Sequence, residues 1–161
     1  MILVLLGTQN NSFHRLLDEV EKNIQNGNIT EEVIVQAGFT KYNSNKMKIF
    51  DLTSKENLNR LIEQSNLIIT HAGVGSIEMS LEKGKKVIAV PRKKKYGEHV
   101  NDHQKDIEEE FDDEGFLIGI DDVNDLGLAL NKAKFFIPKK YKKNDNSKMI
   151  NIIKTFIAGR T

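Results

Sequence analysis

Apolar residues along this chain fall into short unbroken runs that alternate with segments of helical period, and that alternation predicts the fold. Ile2 to Leu6 is aliphatic throughout and stops at Gly7-Thr8-Gln9. A strand apolar at every position, not at every second one, is covered on both faces, as strands of a parallel sheet are. After Asn10-Asn11-Ser12, a run of helix-capping types, Phe13, Leu16, Leu17, Val20 and Ile24 recur at steps of three and four, predicting an amphipathic helix that closes near Gly27. Val33-Ile34-Val35 and Met47 to Phe50 predict the second and third strands, separated by the turn-rich stretch Thr40 to Asn45. Lys55 to Gln64 predicts a helix with Leu58, Leu61 and Ile62 on one face, and Leu67-Ile68-Ile69 a fourth strand running into His71-Ala72-Gly73-Val74-Gly75-Ser76. A helix from near Ser76 to Lys83 is ended by Gly84, and the strand Val87 to Val90 is stopped by Pro91. A basic loop, Arg92 to Lys95, leads to a helix over Asn101 to Glu114 with Val100, Ile107 and Phe111 as its apolar stripe. A strand at Phe116 to Ile118 and a helix over Val123 to Ala133 follow.

Strands that alternate with helices imply βαβ units, a mostly parallel sheet and right-handed crossovers, so the fold class is doubly wound α/β. Residues 1–138 read as one such domain, and 139–161 as a linker and a C-terminal helix over Ser147 to Ala158. The stripe Ile150, Ile153 and Ile157, flanked by Met149 and Phe156, is more apolar than a free tail requires. It either packs on the chain's own sheet or docks on a partner.

Composition narrows this further. A length of 161 residues suits a single core, and 39% hydrophobic and 29% charged residues exclude disordered and fibrous classes. With 24 basic against 23 acidic side chains the net charge is +1, so no bulk field draws the chain to nucleic acid. The absence of cysteine removes disulfides, thiolate catalysis and cysteine-bound zinc, and fits a cytoplasmic setting. Met1 to Leu6 has neither the basic lead nor the cleavage site of a signal peptide, and no apolar run approaches the roughly 18 residues needed to cross a bilayer.

Ligands of an open parallel sheet bind at the carboxyl ends of its strands. There, His71-Ala72-Gly73-Val74-Gly75-Ser76 stands between a buried strand and a helix start, where glycines let backbone N–H groups approach an anion and the helix dipole favours negative charge. A diphosphate would fit; a tight turn with an ordinary Ser76 cap is the plainer alternative. Gly7-Thr8-Gln9 offers a second small-residue approach to the same edge. Gln104 falls on the inward stripe of its helix, to bond either core carbonyls or a ligand's hydroxyl groups. No zinc site is expected of the histidines at 14, 71, 99 and 103, and His14 belongs on the surface. The acidic run Asp106 to Glu114 reads as a solvated face, and Arg92 with Lys93, Lys94 and Lys95 as a solvated loop, a phosphate clamp or a patch for anionic headgroups.

Gly7-Thr8-Gln9, Val33 to Gly38, His71 to Ser76, Pro91 and Asn101-Asp102-His103-Gln104, in that order, resemble the donor-binding, Rossmann-like C-terminal half of two-domain GT-B glycosyltransferases, over residues 1–118. The segment Pro91 to Gln104 is most similar to the soluble subunit of split bacterial exopolysaccharide and capsule glycosyltransferases (PssE type). The soluble subunit of the eukaryotic dolichol-pathway UDP-GlcNAc transferase is a more distant likeness. The resemblance implies a hexosyltransferase subunit that binds a UDP-sugar without metal or other cofactor. A membrane-attached subunit would supply the acceptor half and the general base, forming a heterodimer peripheral at the inner face of the plasma membrane that acts on a lipid-linked glycan. A UDP-GlcNAc transferase subunit and a non-catalytic activating scaffold are the alternatives.

By position, Gly73, Val74, Gly75 and Ser76 would hold the diphosphate; Gly7, Thr8 and Gln9 would touch phosphate or sugar; Phe50 would lie by the uracil. His103 and Gln104 would read sugar hydroxyls, His71 would help neutralise phosphate or sugar oxygen, and Gln36, Arg92 and Asn101 complete the implied donor-binding set. Where relatives place a glutamate for the ribose, eight residues after His71, this chain has Met79, with Glu78 one step early and about 100° round the helix. Either Glu78 reaches the ribose by rearrangement, or the donor is held more weakly until the partner arrives.

Overall fold

A computed structural model describes residues 1–142. Six parallel strands form one sheet in the order β3-β2-β1-β4-β5-β6, with β1 Ile2–Leu5, β2 Val33–Gln36, β3 Lys48–Phe50, β4 Leu67–His71, β5 Lys86–Val90 and β6 Ile118–Gly119. The helices are α1 His14–Gln25, α2 Lys55–Gln64, α3 Val74–Glu82, α4 His103–Asp113 and α5 Leu126–Ala133. The doubly wound α/β expectation holds.

The unbroken aliphatic runs have the cause anticipated for them. Ile2, Val4 and Leu6 pack on one face of the sheet with Phe13, Leu16, Leu17 and Val20 and the apolar side of α5. Leu3 and Leu5 pack on the other with Ile62, Ile77, Leu81, Ile107 and Phe111. Both faces of β1 are therefore core, and each fully buried aliphatic side chain contributes about 1.5–3 kcal/mol.

Several boundaries differ from the sequence expectation, each for a local reason. Helix α3 begins at Val74, not Ser76, because Gly73 is its N-cap residue, extended at φ −83° and ψ 132°. Val74, Gly75 and Ser76 thus form the first turn. Asn10-Asn11-Ser12 supplies no side-chain cap for α1; the Phe13 N–H donates instead to Thr40 Oγ1 at 2.9 Å. Helix α4 starts only at His103, which leaves Val100 outside it and 75% exposed rather than on its inward stripe. Val123–Asp125 is a separate 3-10 turn ahead of α5, with Asp122 Oδ1 accepting the Asn124 N–H.

Two charged segments are also corrected. The acidic run is not wholly solvated: Glu108 is 4% exposed and lies over Gly119, whose missing side chain leaves the carboxylate its room. The stretch read as linker begins docked. The Lys139 N–H donates to Gly115 O at 3.0 Å, and Tyr141 packs edge-on against Phe116 while its hydroxyl reaches Glu78 Oε2 at 3.2 Å. The helix expected over Ser147 to Ala158 lies outside the described residues. Among those residues, no helix is long and apolar enough to cross a membrane.

Candidate functional site

The strand order reverses between β1 and β4, and a crevice at such a switch point is where an open α/β sheet receives a ligand. The carboxyl ends there are laced together by backbone and side-chain bonds. Leu6 N–H donates to Gln36 O at 3.0 Å, Ala37 N–H to Phe50 O at 2.8 Å and Gly38 N–H to Asp51 O at 2.9 Å. The Gln36 amide donates to both Gly7 O and Asp51 O, at 3.1 and 3.0 Å. Gln36, expected to touch a donor, uses its NH2 group to hold the loops after β1 and β3.

His71 closes the bottom of the crevice. Its imidazole packs between Gly7 and Gly73, and a Cβ at either glycine would run into the ring. Gly7 is doubly constrained, since its φ of +75° also disfavours any side chain. Burial, followed by the nearby Arg92 charge, pushes the His71 pKa down to about 3. The ring is therefore neutral at ordinary pH. A cation there would be both desolvated and repelled, so the help in neutralising an oxygen expected of His71 would have to come from an N–H dipole.

Arg92 and Gln104 form the layer behind His71. Gln104 is fully buried; its Oε1 accepts the Arg92 backbone N–H at 3.0 Å and its Nε2 stands 3.2 Å from His71 Nδ1. Both ends of the amide are engaged by the protein's own groups, a backbone N–H and an imidazole, and not by the core carbonyls named as one alternative. The Arg92 guanidinium is 1% exposed and donates to Leu6 O at 2.6 Å, Asn11 O at 2.7 Å and Glu98 O at 3.1 Å, above the Phe13 ring. Desolvation lowers its pKa to about 10, which still leaves a cation at neutral pH. Arg92 thus ties three loops together through its two terminal nitrogens, while its buried Nε has no hydrogen-bond partner among the described residues.

A further support had no signal in the sequence. Glu98 accepts a bidentate bond from Arg15, at 2.7 and 2.9 Å, together with the Lys93 N–H at 3.0 Å, and so fixes the loop after β5 against α1. The two residues are 83 positions apart, and no spacing rule joins them.

Around this base the remaining expected residues converge unevenly. The first turn of α3 carries no acidic side chain, so the N–H groups of Val74, Gly75 and Ser76 present the dipole's positive end unopposed. Thr8 is exposed and Gln9 half-exposed at the mouth of the crevice. Phe50 stands at the carboxyl end of β3, with exposed Phe39 and Leu52 on the adjoining loops. Asn101 Oδ1 accepts the His103 N–H at 3.0 Å, across the N-cap residue Asp102, and His103 is exposed. Lys93 pairs with Asp121 at 3.3 Å, whereas Lys94 and Lys95 extend into solvent. Glu78 is 8% exposed and receives the Tyr141 hydroxyl at 3.2 Å. Among the described residues no group of three or more His, Asp or Glu side chains is placed to hold a metal ion. The crevice as built can accept a small anion on backbone N–H groups, a neutral imidazole beside them and a buried guanidinium behind.

Known proteins resemble this chain in sequence and in fold. The mouse protein "UDP-N-acetylglucosamine transferase subunit ALG13" is 38% identical over 63 residues, 39% of this chain, and the match spans only 5% of that protein's length. The solution structure of ALG13 superposes with a TM-score of 0.61 at 20% identity, covering 94% of this chain and 93% of that one. MurG from Acinetobacter baumannii superposes with a TM-score of 0.56 at 16% identity, over 83% of this chain and 42% of that one. These structural likenesses establish the α/β fold of a GT-B C-terminal domain. Residues 1–156 match the glycosyltransferase family 28 C-terminal domain, and the chain belongs to that family.

Proposed function

We propose that this chain is the donor-binding subunit of a two-component hexosyltransferase, holding a UDP-sugar at the β1/β4 crevice. The observation that carries the reading is the conjunction, in a member of a glycosyltransferase family, of an uncapped α3 N-terminus with His71 and Gly73 at the switch point. Electrostatic stabilisation of a leaving diphosphate needs donors fixed where its charge develops, and helix N–H groups supply them without a metal. In the reaction the bond from the anomeric carbon to the UDP oxygen breaks and a bond to the acceptor oxygen forms. The acceptor's proton passes to a base on the partner. Negative charge accumulating on UDP falls on the N–H groups of Val74 to Ser76. Phe50, with Phe39 and Leu52, supplies apolar ground for the uracil, and Thr8, Gln9 and His103 line the approach of the sugar. The partner is a membrane-attached acceptor-binding subunit that brings a lipid-linked glycan to the cytoplasmic face of the plasma membrane. The similarity of Pro91 to Gln104 to split exopolysaccharide and capsule enzymes supports that setting. The mouse subunit named above favours a second reading, transfer of N-acetylglucosamine. Calorimetry with UDP and a panel of UDP-sugars, with and without the partner, tests the proposal. Saturable UDP binding is expected, and its absence from both samples leaves only a non-catalytic scaffold.

A further inference from the structure

Gln104 decides which nitrogen of His71 carries the proton. The Arg92 backbone N–H can only donate, so the Gln104 amide atom 3.0 Å from it is the oxygen. The amide nitrogen therefore faces His71 Nδ1, 3.2 Å away, and since that NH2 group can only donate, Nδ1 must accept. In a neutral imidazole the proton then resides on Nε2. Nε2 is among the ring atoms nearest to both Gly7 and Gly73, on the side of the crevice where α3 begins. We propose that Gln104 is a positioning residue: oriented by the Arg92 N–H, it holds His71 as the Nε2–H tautomer, so that a donor rather than a lone pair faces an anion at the α3 N-terminus.

The opposite tautomer would turn a lone pair toward the phosphate oxygens that Val74, Gly75 and Ser76 attract. A charged ring is disfavoured by the same burial and by Arg92 behind it. The resemblance implies that Gln104 reads a sugar hydroxyl; in the structure it is fully buried, with its amide bonded to the Arg92 N–H and to the His71 ring. The proposal rests on the UDP-binding reading above for its ligand, while the tautomer itself is a property of the free protein.

The experiment is long-range 15N–1H correlation of the His71 ring at neutral pH, without and with UDP, together with UDP titration calorimetry. The parent is expected to show a protonated Nε2 and an unprotonated Nδ1 in both states. A ring protonated at Nδ1 in the free protein would overturn the proposal even if UDP binds, whereas failure of the parent to bind UDP would overturn the functional reading and leave the tautomer assignment standing. Gln104→Met, close in shape but without hydrogen bonds, is expected to let Nδ1–H become populated and to weaken UDP at least about tenfold, the worth of one hydrogen bond to a charged group. Unchanged affinity in a folded Gln104→Met protein would refute the link to binding. Should that variant not fold, Gln104→Glu keeps an acceptor for Arg92 and is expected to draw a proton onto Nδ1; a ring still protonated at Nε2 alone would refute the positioning role.

Discussion

Two glycines two residues apart should respond in opposite ways to the same methyl group. A Cβ at Gly73 meets the His71 ring, while a Cβ at Gly75 meets nothing within 4 Å. Gly75 lies in the first turn of α3, where replacing glycine by alanine removes unfolded-state freedom and favours the helix by about 0.5–1 kcal/mol. A helical Cβ leans toward the helix N-terminus, so this methyl intrudes on the space an anion needs to reach the N–H groups there. Gly75→Ala should therefore raise the melting temperature by about 1–4 °C in a chain of this size. It should also weaken UDP at least about tenfold, the worth of one bond to a charged group. Gly73→Ala should cost about 1–3 kcal/mol through overpacking against the imidazole. Differential scanning calorimetry reads stability, and isothermal titration with UDP reads affinity. A Gly75→Ala protein that binds UDP like the parent would refute the placement of the anion, and one that loses stability would refute the reading of α3's first turn.

Other outcomes follow from the same geometry. Burial, with the charges of Asp112, Glu109 and Asp121, pushes the Glu108 pKa up to about 7 from 4.5. The folded state thus binds the extra proton between those values, and stability falls as pH rises through that window. Glu108→Gln should be near neutral at pH 4.5 and stabilising by about 1–3 kcal/mol at pH 8; equal effects at both in urea titrations would contradict the shift. His71 acts with the opposite sign, since its folded pKa of about 3 lies below the ordinary 6.5 and stability is lost as pH falls between them. In a Glu108→Gln background stability should therefore decline from pH 6.5 toward 4.5, and a flat profile would count against a buried neutral ring. Glu78→Gln, which preserves an acceptor for Tyr141, should leave UDP affinity unchanged within about twofold; a tenfold loss would place the carboxylate on the ribose. Turnover by the reconstituted pair should survive excess chelator, and a loss restored only by Mg²⁺ or Mn²⁺ would overturn the metal-free mechanism.

The sheet was legible because its signal is local. Every residue of Ile2 to Leu6 is apolar, and only a strand sandwiched between helices uses such a run. The glycine turn after Leu67 to His71 was legible for the same reason. What escaped was set by partners far away in sequence. The resemblance implies Arg92 and Gln36 as donor contacts, and no local pattern announces the loop carbonyls each also holds, those of Leu6, Asn11 and Glu98 for Arg92 and those of Gly7 and Asp51 for Gln36. Glu108 read as solvated because helical spacing does not reveal that the strand beside it presents a glycine. The early start of α3 was missed because Ser76 looks like a cap, and Gly73 makes that cap with no side chain at all.

The most direct test is an amide-resolved NMR titration of the chain with UDP. Saturable shifts should centre on Val74, Gly75 and Ser76, extend to Gly7, Thr8 and the His71 ring, and leave the α2 surface around Asn57 and Arg60 unmoved. No saturable shift, or shifts confined to Lys94 and Lys95, would contradict a UDP site at the β1/β4 crevice.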